Sequence, residues 1–284
     1  MVTDIGDQRS MQVTFYGVRG STPCHGEDTH KYGGNTSCVA VRIPGEQPIM
    51  FDLGTGARYF GATQLGGEPF RGTCLLSHLH WDHTQGLPFF TPILKPGAEL
   101  DIYAPQQDDG RPLATVFEEM ICPPVFPVTI AQFAGTVRYH ELNDDDFTIG
   151  SVKVRSRLVP HLGPTLGFRV EWNGRSVVYM SDHQQPHDGS FSITDGARDL
   201  AQGADLLIHD SQYTAAEFPA KNNWGHCTVD YAIWLAQECG VRRLALFHHD
   251  PTRTDAALDA LHGCQVGDGM QLVVAREGLT VELG

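Results

Sequence analysis

Basic residues are scarce in this chain. Its 284 residues include 20 Lys and Arg against 34 Asp and Glu, a formal charge of −14. Such an acidic surplus argues against a broad electrostatic grip on long nucleic acids, whose binding is built on neutralised phosphates. Small substrates are favoured, and no long nucleic acid is expected as a partner. Long apolar runs are also missing. No stretch reaches the roughly 18 residues a membrane helix needs, so no membrane partner is expected. The opening Met1-Val2-Thr3-Asp4-Ile5-Gly6-Asp7 has neither a basic start nor an apolar core, and no secretory leader is read there. Seven cysteines, an odd number with scattered spacing, do not form a disulfide framework. The cytoplasm is the default location. No internal repeat, low-complexity segment or linker-like stretch divides the sequence, so residues 1–284 are expected to form a single domain.

Short alternating or apolar runs separated by Gly, Pro and Asp clusters are abundant. They predict strands at 12–18, 38–43, 48–52, 73–77, 99–103, 137–141, 151–159, 165–171, 176–180, 205–209, 243–247 and 271–275. Helical patterns fall at 57–65, 82–90, 112–121, 228–238 and 254–262, with Thr228 as an N-cap, Asp230 in the first turn and Gly240 past the end of the fourth. This alternation suits an α/β fold of two sheets packed face to face with helices outside.

After the apolar run Gly72-Thr73-Cys74-Leu75-Leu76 comes Ser77-His78-Leu79-His80-Trp81-Asp82-His83. On a strand end, period-two geometry sends His78 and His80 to one side, and a turn into a helix presents Asp82 and His83 from the next. Two neighbouring cations could be served from one loop. Imidazoles with one carboxylate suit zinc first, with manganese or iron as alternatives.

The signature His-x-His-x-Asp-His resembles that of the metallo-β-lactamase superfamily, and the likeness runs from about Val13 to the C-terminus. It implies an αββα sandwich of two mixed sheets and a binuclear centre. His161, Asp182 and His248 each close an apolar β-like run and fill the later positions. By this resemblance His78, His80 and His161 hold the first metal, Asp82, His83 and His248 the second, and Asp182 bridges them. Phe15-Tyr16-Gly17-Val18-Arg19-Gly20-Ser21, Tyr32-Gly33-Gly34-Asn35-Thr36-Ser37-Cys38 and Phe51-Asp52-Leu53-Gly54-Thr55-Gly56 are similar to the ribonuclease Z and cyclic-phosphodiesterase branch. Asp52 is expected to support a ligand rather than react.

Ile208-His209-Asp210-Ser211 and Gly225-His226-Cys227-Thr228 match that branch's carboxylate–histidine pair. The resemblance implies a proton donor, His226, oriented by Asp210, where the branch more often carries glutamate. One departure is larger. The short interval from His161 to Asp182 reads as two strands joined by Asn173-Gly174, a type I′ hairpin signal. Ribonuclease Z carries its transfer-RNA-gripping arm in that interval.

The compact members of the branch, which act on small or cyclic phosphodiesters, are therefore the nearer likeness. The implied mechanism uses a hydroxide bridging two divalent metals, Asp82 and Asp182 at the centre, and the His226–Asp210 donor. The alternative is a carbonyl-centre hydrolase, such as a lactonase or thioesterase of the same superfamily. A non-hydrolytic di-iron redox protein ranks third, since it calls for a carboxylate at His80 and a following flavin domain. A homodimer is expected by analogy with the branch. His25, His30, His183, His187, His249 and His262 have no matched ligand role, while Trp224, two residues before His226, is the best-placed aromatic for a substrate ring.

Overall fold

The computed structural model describes residues 10–267 and 269–284; the N-terminal stretch read for a leader lies outside them. The first half supplies β1 (Met11–Gly17), β2 (Cys38–Arg42), β3 (Ile49–Phe51), β4 (Arg71–Leu75), β5 (Glu99–Pro105), β6 (Thr136–Leu142) and β7 (Asp146–Ile149). The second supplies β8 (Val152–Leu158), β9 (Leu166–Trp172), β10 (Arg175–Met180), β11 (Leu206–Asp210), β12 (Arg243–Phe247), β13 (Gln271–Val274) and β14 (Thr280–Leu283). Helices are α1 (Ala57–Ala62), α2 (Trp81–Thr84), α3 (Leu113–Met120), α4 (Asp195–Ala201), α5 (Phe218–Lys221), α6 (Val229–Glu238) and α7 (Asp255–Ala260).

Two mixed sheets of seven strands result, in the orders β14-β1-β2-β3-β4-β5-β6 and β13-β12-β11-β10-β9-β8-β7. The halves exchange their last strands, because β14 returns to pair antiparallel with β1 and β7 pairs antiparallel with β8. Alternation builds three apolar layers. Val177 and Tyr179 of β10 face the core between the sheets, where Val13, Phe15, Phe51, Phe168 and Phe247 meet them. Val178 and Met180 face outward beneath α4 and α6. Across the first sheet, Met50, Cys74 and Ile102 pack under Phe60, Leu87, Phe90 and Phe117. A fully buried side chain of this kind contributes about 1.5–3 kcal/mol, so strands apolar on both faces are held in one register.

That register sets the site. β3, β4 and β5 run parallel, as do β10, β11, β12 and β13. Their C-terminal ends fall on one edge, the place where open α/β sheets gather ligand-binding groups. One predicted helix is broken. The span 82–90 is one α-helical turn followed by a 3₁₀ turn at Leu87–Phe89, since Pro88 follows Gly86 and cannot donate to a helical ladder. Helix α6 meets its prediction: the Thr228 hydroxyl accepts from the Tyr231 amide, and Gly240 takes φ +61° just past the end. Between β9 and β10, Asn173 and Gly174 have φ of +49° and +73°, the left-handed pair of a type I′ turn. The seven cysteines are unpaired, and among the described residues no helix is long and apolar enough to cross a membrane.

Candidate metal centre

Six strand ends converge on one cleft. Asp52 follows β3, His78 to His83 follow β4, His161 follows β8, Asp182 follows β10, Asp210 ends β11, and His248 follows β12. In a first cluster, His78 Nε2 stands 2.9 Å from His80 Nδ1, and His161 Nε2 stands 3.3 Å from that same nitrogen. Asp182 Oδ1 lies 3.8 and 3.7 Å from the His78 and His161 nitrogens. In a second cluster, Asp82 Oδ2 and Asp182 Oδ2 lie 3.1 and 3.2 Å from His83 Nε2, and 3.1 and 3.4 Å from His248 Nε2. All seven residues expected at the centre are therefore brought together, with the two oxygens of Asp182 turned to different clusters.

Supporting bonds decide which nitrogen faces inward. His78 Nδ1 lies 3.0 Å from Ser77 Oγ, His83 Nδ1 2.6 Å from Asp52 Oδ2, His161 Nδ1 2.6 Å from the Gly225 carbonyl and His248 Nδ1 2.8 Å from Gln212 Oε1. A neutral imidazole that donates outward from Nδ1 keeps its lone pair on Nε2. Four lone pairs thus point at the cleft, and His80 adds a fifth through Nδ1.

The donors fit divalent cations. Ligands held tetrahedrally at about 2.0–2.1 Å are roughly 3.3 Å apart, close to the spacing within the second cluster. His83 Nε2 and Asp182 Oδ2 are buried without a hydrogen-bond partner, an arrangement costly by about 1–3 kcal/mol or more per group unless something satisfies them. Charge points the same way. Burial holds His78 well below its ordinary value and pulls His161 down to about 4, keeping both neutral. Burial opposes protonation of His83, but Asp82, Asp182 and Asp52 around it push its value well up. Three carboxylates there call for positive charge.

The backbone is strained where it serves this site. The non-glycine residues with left-handed φ among those described are Ser21, Asp52, Asn173 and His248. Ser21 donates its amide to Asp82 Oδ2 at 2.7 Å, Asp52 holds His83, and His248 is itself in the cluster. Each such conformation costs about 1–3 kcal/mol. Asp52 also accepts from the Ser77 amide and hydroxyl and from the Tyr179 hydroxyl, at 2.7, 3.0 and 2.7 Å.

His226 and Asp210 meet beside the clusters, with Nδ1 to Oδ2 at 2.8 Å. Asp210 is fully buried and also accepts from the Gln212 and His183 amides. The His226 ring stands 3.7 Å, by its Nδ1, from Asp182 Oδ1. Burial opposes its protonation, but Asp210, then Asp182 and Asp82, raise its value above the ordinary one. The shorter aspartate therefore reaches the imidazole.

Other histidines fall elsewhere. His183 turns away from the cleft, with Nδ1 2.9 Å from His209 Nε2 and its ring packed edge-on against Tyr231. His25 is exposed in its loop. His140 is half-buried, bonded to Asp101 and stacked on Tyr103. Trp224 is 56% exposed and Trp81 74%. Gln212, Ser77 and Ser21 were not singled out from the sequence; Ser77 and Gln212 do adjoin the His78 and Asp210 motifs, the signal that could have found them.

The sequence model of the Beta-lactamase superfamily domain matches residues 72–249, more than half of the chain. The chain belongs to that family and is a hydrolase of the metallo-β-lactamase superfamily. Ribonuclease Z of Synechococcus sp. (strain CC9311) is 27% identical over 290 aligned positions, which span 85% of this chain and 88% of that protein. Among solved structures, a diphosphatase from the PhnP family superposes with a TM-score of 0.70 at 20% identity, over 96% of this chain and 97% of that one. Zn(2+)-bound PqqB from Methylobacterium extorquens does so with 0.71 at 17%, over 96% and 100%. The structural likenesses establish the shared αββα fold.

Proposed function

We propose that the protein is a phosphodiesterase acting on small or cyclic phosphodiesters, with His226 as proton donor. The observation that carries this reading is the 2.8 Å contact between His226 Nδ1 and the buried Asp210, placed beside the two donor clusters. His78, His80 and His161 would hold one divalent cation, and Asp82, His83 and His248 the other, with Asp182 shared. Zinc suits the donor set first, with manganese or iron as alternatives. Bound there, the cations supply Lewis acidity, acidifying a water and offsetting charge on the phosphoryl oxygens. With Nδ1 given to Asp210, His226 keeps Nε2 for the transferable proton, which it hands to the departing oxygen. Asp210 fixes the ring and stabilises its charged form. Asp52 and Gln212 hold His83 and His248 in their inward-facing tautomers.

A second reading, cleavage of RNA, is favoured by the name of the Synechococcus relative. Against it stand the charge of −14 and the interval from His161 to Asp182, which holds only β9, β10 and their tight turn. The zinc- or manganese-loaded protein should hydrolyse cyclic nucleotides and aryl phosphodiesters and leave precursor transfer RNA largely intact. Faster turnover of a lactone or thioester would return the carbonyl-centre hydrolase. His226→Ala should lose on the order of 10²–10⁴ in rate on an alkyl diester, whose alkoxide needs the proton, and much less on a nitrophenyl diester. Equal losses on both, with metal content unchanged, would reject the donor role.

A further inference from the structure

The loop that carries His226 has little regular structure of its own, yet His226 is almost wholly buried. What holds it comes from another segment. Two residues after Asp182, the Gln184 amide reaches across to residues 222–226. Its Oε1 accepts from the Gly225 N–H at 2.7 Å. Its Nε2 faces the carbonyls of Gln185, Asn222 and His226 at 2.6, 3.0 and 3.2 Å. Only one amide orientation satisfies this set, because a backbone N–H needs the oxygen and carbonyls need the NH₂. The Gln184 backbone N–H donates to the Pro160 carbonyl at 2.7 Å, one residue before His161.

The same peptide is gripped from its other side. The Gly225 carbonyl accepts from His161 Nδ1 at 2.6 Å. Gly225 has φ +92°, and a Cβ there would lie 2.4 Å from His161 Cε1, so the loop approaches the ring as closely as glycine permits. Gln184 thus ties together three segments that converge on the cleft, those after β10 and β8 that bear Asp182 and His161 and the loop between α5 and α6 that bears His226.

We infer that Gln184 is a positioning residue, whose amide fixes the His226 loop and, through Gly225, the ring of His161. For its catalytic consequence the inference rests on the proton-donor reading of His226. Misplacing a reacting group by about 1 Å costs roughly 10²-fold in rate, so a loosened loop should register strongly where the proton matters.

Two variants separate the parts. Gln184→Met keeps the packing volume without either bond. Gln184→Glu keeps the acceptor for Gly225 but turns a carboxylate toward three carbonyls. Hydrogen exchange at residues 222–228 reads the loop without reference to activity, and kcat and KM on alkyl and nitrophenyl diesters read the chemistry, with His226→Ala run in parallel. Amide exchange at Gly225 should quicken at least ~10-fold in Gln184→Met, the variant that loses its acceptor. In both variants kcat on the alkyl diester should fall roughly 10- to 100-fold with KM little changed, and the loss on the nitrophenyl diester should be smaller. Unchanged exchange across 222–228 in both variants, with wild-type rates, would overturn the inference; if Gln184→Met does not fold, Gln184→Glu decides it by exchange at His226 and Asn222 and by rate. Quickened exchange together with a His226→Ala variant that shows no leaving-group dependence would support Gln184 as the loop's anchor and overturn the donor role instead.

Discussion

The two donor clusters share Asp182 yet are built differently. The second lies on the floor of the cleft. His83 and His248 are wholly buried, and a side chain from a different strand end braces each ring, Asp52 for His83 and Gln212 for His248. Left-handed backbone at Ser21, Asp52 and His248 is concentrated around this cluster. The first is a rim. His80 is exposed at the N-terminus of α2, and His161 rides a loop that depends on Gly225. Rigid support therefore gathers where the site is deepest. Preorganisation of this kind holds ligands to the geometry their chemistry needs.

The largest expected effect removes the element both clusters share. Asp182→Ala deletes an oxygen from each, so elemental analysis should fall from about two transition-metal ions per chain to less than one, and hydrolysis should drop to near background. Retention of both ions would show that Asp182 does not lie between them. Next comes a test of the floor alone. Asp52→Asn leaves the shape of the site but weakens the partner of His83 Nδ1, and support of this type is worth 10–100-fold in affinity. Zinc titration should show one site weakened by about that factor and the other unchanged. Equal weakening of both would dissolve the distinction between floor and rim.

Much of this comparison was legible in the sequence, for a physical reason. His78, His80, Asp82 and His83 lie within one strand-to-helix turn, so local geometry alone groups them. Asp182 and His248 each close a strand whose apolar run is continuous because both of its faces are buried, as the alternation of Val177 and Tyr179 with Val178 and Met180 makes plain, whereas His161 follows β8, in which apolar and polar residues alternate. Asp210 and His226 were reached through resemblance, because 16 positions of loop and helix separate them. The supports escaped. Gln184 and Gln212 act through amides whose partners are defined only by the tertiary fold, and no periodicity marks them. Strands β7 and β14 escaped because each has only four residues, with polar ones at alternate positions. Helix α4 escaped because Gly196 interrupts its short first turn.

The rim should be the more forgiving side. His80→Ala removes an exposed imidazole, so stability without metal should shift by no more than ~0.5 kcal/mol. His83→Ala in the same metal-free protein leaves Asp52 without one of its bonds in a buried pocket, and a loss of about 1–3 kcal/mol is expected. Urea unfolding in the presence of chelator measures both. Equal losses would mean the floor owes its order to the cations rather than to its side chains.

The smallest effect on the chemistry is expected at Thr228, just after the His226 loop, where stability and chemistry separate. The Thr228 hydroxyl caps α6 by accepting from the Tyr231 amide at 3.1 Å and donates to Gln185 Oε1 at 2.9 Å. Replacing such a cap by Ala costs about 0.5–2 kcal/mol. Neither partner touches the clusters, and the Thr228 amide still reaches Gln185 Oε1 at 3.2 Å. Thr228→Ala should therefore lower the urea midpoint while the ratio of alkyl to nitrophenyl diester rates stays within about twofold of wild type. If that ratio falls as it does for His226→Ala, the cap is coupled to the proton donor. The start of α6 would then belong with the supports of the site, and the rim would be braced more heavily than its exposure implies.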